Sequence, residues 1–256
     1  MISKNKIKYI QSLALKKKRK EENAFLAEGP KIVTDLLENF VCRTLVATEE
    51  WLKRHPHIQL SPKLLEIIPV NHDELSRASL LKTPQEVLAV FSTSSSTFDS
   101  KLIEQSLCLA LDGIQDPGNL GTILRIADWF GIEHVLCSAD TVDVYNPKVV
   151  QATMGAIARV QVHYCDLHKV IKDIQSKGIP TYGTFLNGEN IYEQSLSSNG
   201  LIVMGNEGNG ISPIIGNLIG QRLLIPNYPS GRKTGDSLNV AIATAVICAE
   251  FRRRAM

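Results

Sequence analysis

Short apolar runs rich in β-branched residues alternate with segments of helical periodicity along most of this 256-residue chain. The alternation is clearest in the second half, where runs such as LCLALD, EHVLCS and GLIVMG are separated by segments such as GTILRIADWFG and HKVIKDIQSKG. Continuous apolar strands that are joined through helices are typical of a parallel sheet covered on both faces. The pattern therefore predicts an α/β fold with a parallel sheet.

A stretch rich in serine and threonine, residues 92–100, separates this region from a smaller strand and helix pattern upstream. Such residues bury little surface and favour turns and linkers. The chain is long enough for two domains with separate cores. We therefore predict a basic N-terminal arm (1–24), a small α/β domain (25–97) and a larger parallel-sheet domain (98–256).

The first 20 residues contain eight Lys or Arg and no acidic residue, although the whole chain has a net charge of only +2. A basic arm on a mildly acidic body indicates a polyanionic partner, above all nucleic acid, because phosphate contacts by Lys and Arg release counterions. The alternative is a solvated amphipathic helix with an apolar stripe. The candidate RNA contacts in this arm are Lys16, Lys17, Lys18, Arg19 and Lys20.

Further features narrow the class of protein. No apolar run approaches the roughly 18–20 residues of a membrane span, and the first residues lack the apolar core and cleavage site of a secretory signal. The five cysteines are scattered without a CxxC pair, which favours buried free thiols in a reducing compartment. We expect a cytoplasmic protein without a membrane partner and without a metal site.

The first of three unusual loops follows the strand LCLALD and reads GIQDPGNLGT. Ligands in open α/β sheets bind where such loops meet, at the carboxyl ends of the strands. Pro117 and Gly118 force a turn here, and Asn119 can cap the helix that follows. Arg125 lies in the second turn of that helix. It is either an ordinary exposed arginine or a site residue that points back along the side of the cap.

The other two loops also follow apolar strands. The sequence GNEGNG at 205–210 holds three glycines, which let the backbone approach a ligand closely. It matches neither GxGxxG nor a P-loop, so a standard dinucleotide or triphosphate site is not supported. Glu207 is either a turn residue or a functional carboxylate. The third loop follows Pro226 and leads to Ser237, which either caps the final helix or belongs to the site. We expect the three loops to form one polar pocket.

Together, the segments DPGNLGTILRIADWFG, VMGNEGNGIS and IP…SLNVAIATAV resemble the three ordered motifs of the SpoU or TrmH-like RNA ribose 2′-O-methyltransferases of the SPOUT superfamily. The segment FLAEGPKIVTDLL is similar to the substrate-binding domain that many members carry in front. The resemblance implies an enzyme that uses S-adenosylmethionine (AdoMet). It also implies a catalytic domain with a deep trefoil knot, an N-terminal domain of the ribosomal L30e-like fold, and a homodimer whose subunits complete each site.

By motif position, the resemblance also implies two sets of site residues. The catalytic set is Asn119, Arg125, Glu207, Ser237 and Asn239. The cofactor-binding set is Thr184, Leu186, Met204, Gly205, Asn206, Gly208, Gly210, Ile225, Leu238 and Asn239. In the family proposal the arginine accepts the proton of the ribose hydroxyl. Because guanidinium groups normally stay protonated, Arg125 can instead stabilise the developing charge and grip the RNA phosphate.

The third motif departs from the family pattern in two ways. Its loop, NYPSGRKTGD, is longer than usual and basic, which makes Arg232 and Lys233 candidate RNA contacts. The following helix reads AIATAV instead of the commoner Ser-Val-Ala start. Ribosomal RNA is the expected substrate and transfer RNA the near alternative. The alternative from another class is a catalytically silent RNA-binding or assembly protein on the same fold.

Overall fold

The computed structural model describes residues 1–94, 98–229, 232, 235 and 237–255. The chain divides into one unit of Met1–Ser95 with Asp143–Arg159 and a second of Ser96–Val142 with Val160–Met256. This division differs from the predicted one in two respects. The N-terminal residues belong to the first unit, and so does the segment 143–159, which the sequence pattern assigned to the second.

The described helices are, in chain order, α1 (Lys4–Ser12), α2 (Lys16–Glu22), α3 (Pro30–Asn39), α4 (Glu49–Arg54), α5 (His72–Ala78), α6 (Lys101–Gln105), α7 (Pro117–Trp129), α8 (Pro147–Thr153), α9 (Leu167–Ser176), α10 (Pro213–Gly216) and α11 (Val240–Ala255). The described strands are β1 (Ala24–Glu28), β2 (Cys42–Thr48), β3 (Ile67–Val70), β4 (Val87–Ser92), β5 (Leu107–Asp112), β6 (His134–Cys137), β7 (Gln161–Tyr164), β8 (Thr181–Asn190), β9 (Gly200–Gly205) and β10 (Gln221–Leu224). None of the helices in the described part of the chain is long and apolar enough to cross a bilayer.

The first unit contains a four-stranded mixed sheet in the order β1-β4-β2-β3. Strand β4 is antiparallel to β1 and to β2, whereas β2 and β3 are parallel. Helix α3 begins at Pro30, a favourable first residue because its missing N–H has no partner at that position in any helix. Its apolar residues Ile32, Val33, Leu36 and Leu37 are buried, which gives the sheet a covering helix.

The N-terminal residues form two helices that belong to the core of the first unit. Ile10 of α1 and Leu13 after it are fully buried. Helix α2 exposes four of the five predicted RNA contacts, Lys16, Lys17, Lys18 and Lys20. The predicted free arm is therefore replaced by a packed pair of helices with one basic surface.

Arg19 faces the interior of the first unit and is only 3% exposed. Its Nε and Nη2 donate to Oδ2 of Asp143 at 3.0 and 2.6 Å. Its Nη1 donates to the carbonyls of Leu13 and Ala14, each at 2.9 Å. The prediction that Arg19 contacts RNA is therefore wrong, because its guanidinium is committed to a buried ion pair.

Arg19→Met is expected to lower the free energy of unfolding by about 3–5 kcal/mol, because it leaves a largely buried carboxylate without its partner. The Asp143 side chain is 18% exposed in the ion pair. Urea unfolding followed by circular dichroism measures the loss. Lys18→Met is the matched control, since Lys18 pairs only with Glu21 on the surface of the same helix. Equal stability of the two variants would contradict the prediction.

The second unit contains a six-stranded sheet in the order β10-β8-β9-β5-β6-β7, and every neighbouring pair is parallel. This confirms the predicted parallel sheet. The central strands β5 and β9 are buried along their whole length. They pair from Leu107 with Gly200 to Asp112 with Gly205. Their carboxyl ends therefore emerge side by side, and the two loops that follow them start next to each other.

The last turn of α11 contains a cluster of charged side chains. Glu250 is 5% exposed and accepts hydrogen bonds from Arg253 and Arg254 at 2.6–2.8 Å. These bonds, the one from Arg253 foremost, lower the pKa of the Glu250 carboxyl to about 2. Arg252 donates from Nε to the carbonyl of Phe130, beyond the end of α7, at 2.6 Å. Arg252 therefore ties the end of α11 to the end of α7, whereas Arg253 and Arg254 pair with Glu250 within the helix.

The lowered pKa of Glu250 predicts an acid-dependent loss of stability. A carboxyl group titrates near 4.5 in the unfolded chain and near 2 in this folded one, so its contribution is complete above pH 4.5 and disappears as the pH falls toward 2. We expect Glu250→Gln to be less stable than the wild type at pH 6, and the difference to shrink steadily between pH 4.5 and 2.5. Urea unfolding at each pH measures this. A difference that stays constant with pH would contradict it.

Candidate active site

A cavity of about 430 Å³ lies in the second unit, at the carboxyl ends of its strands. Its wall comes from three stretches: the middle of β8, the end of β9 with the glycine-rich loop, and the chain from β10 into α11. The lining residues are Thr184, Phe185, Leu186, Met204, Gly205, Asn206, Glu207, Gly208, Asn209, Gly210, Ile211, Leu223, Leu224, Ile225, Ser237, Leu238, Val240 and Ala243.

The cavity brings together most of the predicted site residues. Every member of the predicted cofactor-binding set lines it except Asn239, and so do Glu207 and Ser237 of the catalytic set. Asn119, Asn239 and Arg125 are not part of the lining. Of the two basic residues predicted in the long loop, Arg232 is exposed and Lys233 lies outside the described residues.

The glycine-rich loop is closed by its own backbone and by one side chain. Asn206 and Gly210 exchange two backbone hydrogen bonds of 2.9 Å. The Asn206 side chain donates to the carbonyl of Gly113 at 2.7 Å and accepts from the amides of Gly208 and Asn209 at 2.9 and 3.1 Å. Any side chain at position 205 would overlap with the returning backbone of the loop. The loop is therefore a tight turn tied to the end of β5.

Three residues from different parts of the second unit form one hydrogen-bonded chain beside this turn: Asn119 in the first turn of α7, Glu207 in the glycine-rich loop and Asn239 just before α11. Nδ2 of Asn239 donates to Oδ1 of Asn119 at 3.0 Å, and Nδ2 of Asn119 donates to Oε1 of Glu207 at 3.0 Å. A carboxylate can only accept, so its contact fixes which way each amide points. Oδ1 of Asn239 accepts from the amides of Ala241 and Ile242 at the start of α11. The chain connects the starts of α7 and α11 to the glycine-rich loop.

The caps of the two helices differ from the predicted ones. Asp116, not Asn119, caps α7: its Oδ1 accepts from the Asn119 amide at 2.8 Å, and Pro117 is the first helical residue. The Asp116 amide also approaches Oε1 of Glu207 at 3.4 Å. Because Asp116 is the cap, the Asn119 side chain is left to form hydrogen bonds with Glu207 and Asn239. The helix start signal Asp116-Pro117, an N-cap residue before an N1 proline, could have identified the cap from the sequence.

Ser237 does not cap the final helix, which begins at Val240 after Asn239. The alternative interpretation of Ser237 as a helix cap is therefore wrong, because the cap is Asn239, two residues later. Ser237 is exposed and lines the cavity. Its hydroxyl is thus available to a ligand of that cavity.

Arg125 is exposed on α7 and makes no hydrogen bond or ion pair with any residue that the structure describes. It is the ninth residue of the helix, one turn later than predicted, because α7 begins at Pro117. It does not line the cavity of its own chain. The guanidinium is therefore exposed, without a polar partner among the described residues.

Two comparisons identify the family. The model of the SpoU rRNA methylase family matches residues 106–249, and the model of the MRM3-like substrate binding domain matches residues 4–89. The chain belongs to the SpoU rRNA methylase family. The predicted resemblance is therefore confirmed by these matches. The second and third motifs supply residues that line the cavity, and the first motif joins them through the hydrogen bond from Asn119 to Glu207.

Relatives of known name or structure match over almost the full length. The chain is 30% identical over 250 residues to the 23S rRNA (guanosine(2553)-2′-O)-methyltransferase RlmP of Bacillus subtilis, and the match covers 96% of each chain. A TrmH-family protein from Porphyromonas gingivalis is 42% identical, with a TM-score of 0.88 and 99% of each chain covered. The AdoMet-bound rRNA methyltransferase of Sinorhizobium meliloti is 28% identical, with a TM-score of 0.86 over 100% of this chain and 97% of that one.

Proposed function

We propose that this protein is an AdoMet-dependent methyltransferase that methylates a ribose 2′-hydroxyl in ribosomal RNA. The observation that carries the proposal is the chain Asn239–Asn119–Glu207, which joins all three family motifs beside the cavity. The full-length similarity to RlmP, whose name specifies a 2′-O-methylated guanosine of 23S rRNA, supports this substrate class.

The cavity suits AdoMet in size and chemistry. A volume of about 430 Å³ lies in the range of pockets that enclose a small cofactor. Side chains of Met204, Leu238 and Ile225 offer apolar contacts, whereas the glycine-rich loop offers backbone donors and acceptors. This combination matches a ligand that has both an aromatic base and charged ends. The same residues form the cofactor-binding set implied by the family motifs.

AdoMet supplies a methyl group that is already activated on a sulfonium, so the protein has to align the ribose oxygen and assist the loss of its proton. Arg125 stabilises negative charge on that oxygen and binds the adjacent phosphate, because guanidinium groups stay protonated and bind phosphates through paired hydrogen bonds. Glu207 and the two asparagines hold the loops around the cavity, and the Ser237 hydroxyl offers a further hydrogen bond there.

RNA is held mainly by charge in this proposal. Lys16, Lys17, Lys18 and Lys20 form an exposed basic surface on α2, and Arg232 is exposed in the loop before α11. Phosphate contacts by such residues weaken with salt through counterion release. The MRM3-like substrate binding domain match at residues 4–89 supports an RNA-binding role for the first unit.

The reaction is tested by methyl transfer from labelled AdoMet to unmodified ribosomal RNA and to unmodified transfer RNA, followed by digestion to nucleosides. We expect a 2′-O-methylated nucleoside from ribosomal RNA. Methylation of transfer RNA alone would mean that the substrate is transfer RNA and not ribosomal RNA. RNA binding without any methyl transfer would favour the catalytically silent scaffold instead.

The active form in this proposal is a cytoplasmic homodimer that also contains the family's trefoil knot, and each cavity receives Arg125 from the other subunit. Two features support a shared site: Arg125 does not line its own cavity, and apolar side chains are exposed along α7 and α11. Trp129 is 85% and Ile242 55% exposed. All five cysteines are free thiols, which suits a reducing compartment.

Subunit mixing tests the shared site directly. Arg125→Ala lacks the guanidinium, and Gly205→Ala disturbs the cavity, so each homodimer is expected to be inactive. In a mixed dimer one site combines the intact cavity with the intact arginine. Random exchange of equal amounts should therefore restore about a quarter of the wild-type activity, since half of the dimers are mixed and each has one good site. No recovery would show that each subunit uses its own arginine.

A further inference from the structure

Strand β8 is paired with β10 along only part of its length. Gly183 pairs with Arg222 and Glu189 with Leu223, so residues 184–188 have no partner on β10 although Arg222 and Leu223 are adjacent. A stretch inserted in this way bulges out of the ladder and can re-aim its side chains. Its first three residues line the cavity.

The C-terminal end of this bulge, at Gly188, lies very close to β10. A side chain at Gly188 would come within 2.6 Å of the Leu223 carbonyl carbon, so the two strands approach each other where pairing resumes. The tip is different, because Leu186 is 74% exposed and has no ladder hydrogen bonds to β10. The conformation of the tip must therefore depend on side-chain contacts.

Arg222 provides two such contacts, one on each side of Leu186. Its guanidinium carbon lies 3.4 Å from the centroid of the Phe185 ring, a close cation–π contact. Its Nη2 donates to Oδ1 of Asn187 at 2.9 Å. Arg222 itself does not line the cavity, whereas Phe185 and Leu186 do. Arg222 therefore contacts the bulge on both sides of Leu186 without lining the cavity itself.

We propose that Arg222 is a positioning residue that holds the bulge 184–188 in the conformation that binds AdoMet, by stacking on Phe185 and bonding Asn187. This inference rests on the proposed function, because it takes AdoMet as the ligand of the cavity. The arginine acts on the cofactor through Phe185 and Leu186 and does not touch it. Its loss therefore weakens cofactor binding and leaves the methyl-transfer step and RNA binding intact.

The experiment compares full-length Arg222→Met, Arg222→Lys and Asn187→Ala with the wild type. Arg222→Met keeps the apolar stem of the side chain but loses both contacts. Arg222→Lys keeps a charge over the Phe185 ring but loses the planar guanidinium group, and Asn187→Ala removes only the hydrogen bond. Calorimetry gives the Kd of AdoMet, and steady-state kinetics give kcat and KM for AdoMet and for RNA. Lys172→Met is the matched control, because Lys172 is an exposed cation on α9 in the same unit.

For Arg222→Met we expect the Kd and KM of AdoMet to rise roughly tenfold, as for the joint loss of a cation–π contact and a hydrogen bond. We expect kcat at saturating AdoMet and the KM of RNA to stay within about twofold. Arg222→Lys and Asn187→Ala should have intermediate effects. In an Arg222→Met background Asn187→Ala should add nothing, because the two residues act as one pair.

The outcomes separate this inference from the proposed function. A wild type that binds AdoMet, with an unchanged Kd in Arg222→Met and Asn187→Ala, would overturn the inference alone. A higher KM of RNA with an unchanged Kd of AdoMet would also overturn it, since Arg222 would then contact RNA. A wild type that does not bind AdoMet would overturn the proposed function and the inference with it. If Arg222→Met fails to fold, the Lys and Asn187→Ala variants decide.

Discussion

Arg125→Ala is expected to lower the rate of methyl transfer by about three orders of magnitude, the loss typical of removing a group that stabilises charge or moves a proton in the transition state. Arg125 is exposed and forms no hydrogen bond or ion pair within the described residues, so its loss removes no polar contact from the described part of the fold. The midpoint of thermal unfolding and the Kd of AdoMet should therefore match those of the wild type.

Single-turnover methyl transfer to ribosomal RNA measures the effect, with Lys172→Ala as the control for the loss of an exposed cation from the same unit.

Arg125→Lys separates the two roles that Arg125 can have, charge stabilisation and proton acceptance. A charge-stabilising role should leave Lys partly active at neutral pH, because an ammonium still carries the charge. A rate that rises with pH in the Lys variant would instead indicate that the side chain accepts the proton. Near wild-type activity of Arg125→Ala would remove this residue from the catalytic set.

The local sequence pattern was sufficient for the parallel sheet and for two of the three loops expected at one pocket, those that contain Glu207 and Ser237. The loop before Asn119 does not line the cavity. Strands buried on both faces have to be continuously apolar, so β5 and β9 stand out in the sequence, and the carboxyl ends of parallel strands share one edge. The convergence of the loops at Asn119, Glu207 and Asn239 follows from that geometry. The roles of these residues in catalysis stay predictions that the measurements above test.

Contacts between distant parts of the chain could not be predicted in the same way. Arg19 looked like a member of a basic surface because its neighbours in sequence are all lysines. Its burial depends on Asp143, 124 residues further along, in a segment that the sequence pattern assigned to the second unit and that the structure places in the first. The contact of Arg222 with Phe185 depends likewise on the bulge in β8. Such a bulge depends on how two strands pair, so neither strand shows it as a hydrophobic pattern in its own sequence.

Gly205→Ala is expected to weaken AdoMet binding by more than about 100-fold, because an added methyl group forces the glycine-rich loop away from its position. The new carbon would overlap with backbone atoms of Gly210 and Ile211, and backbone cannot rotate aside as a side chain can. The loop is fixed by the Asn206–Gly210 hydrogen bonds, so the overlap has to break that closure or move the end of β9. Either change deforms the cavity wall.

Gly208→Ala is the matched comparison in the same loop. The nearest atom to its added carbon is Oδ1 of Asn206 at 3.6 Å, an ordinary contact, and we expect a loss of affinity at least tenfold smaller than for Gly205→Ala. Calorimetry with AdoMet measures both variants, and circular dichroism shows whether the sheet is retained. Because β9 is a central strand, some loss of thermal stability is expected in Gly205→Ala alone. Equal affinities of the two variants would mean that the cofactor does not depend on the closed shape of this loop, and the assignment of AdoMet to the cavity would fail with it.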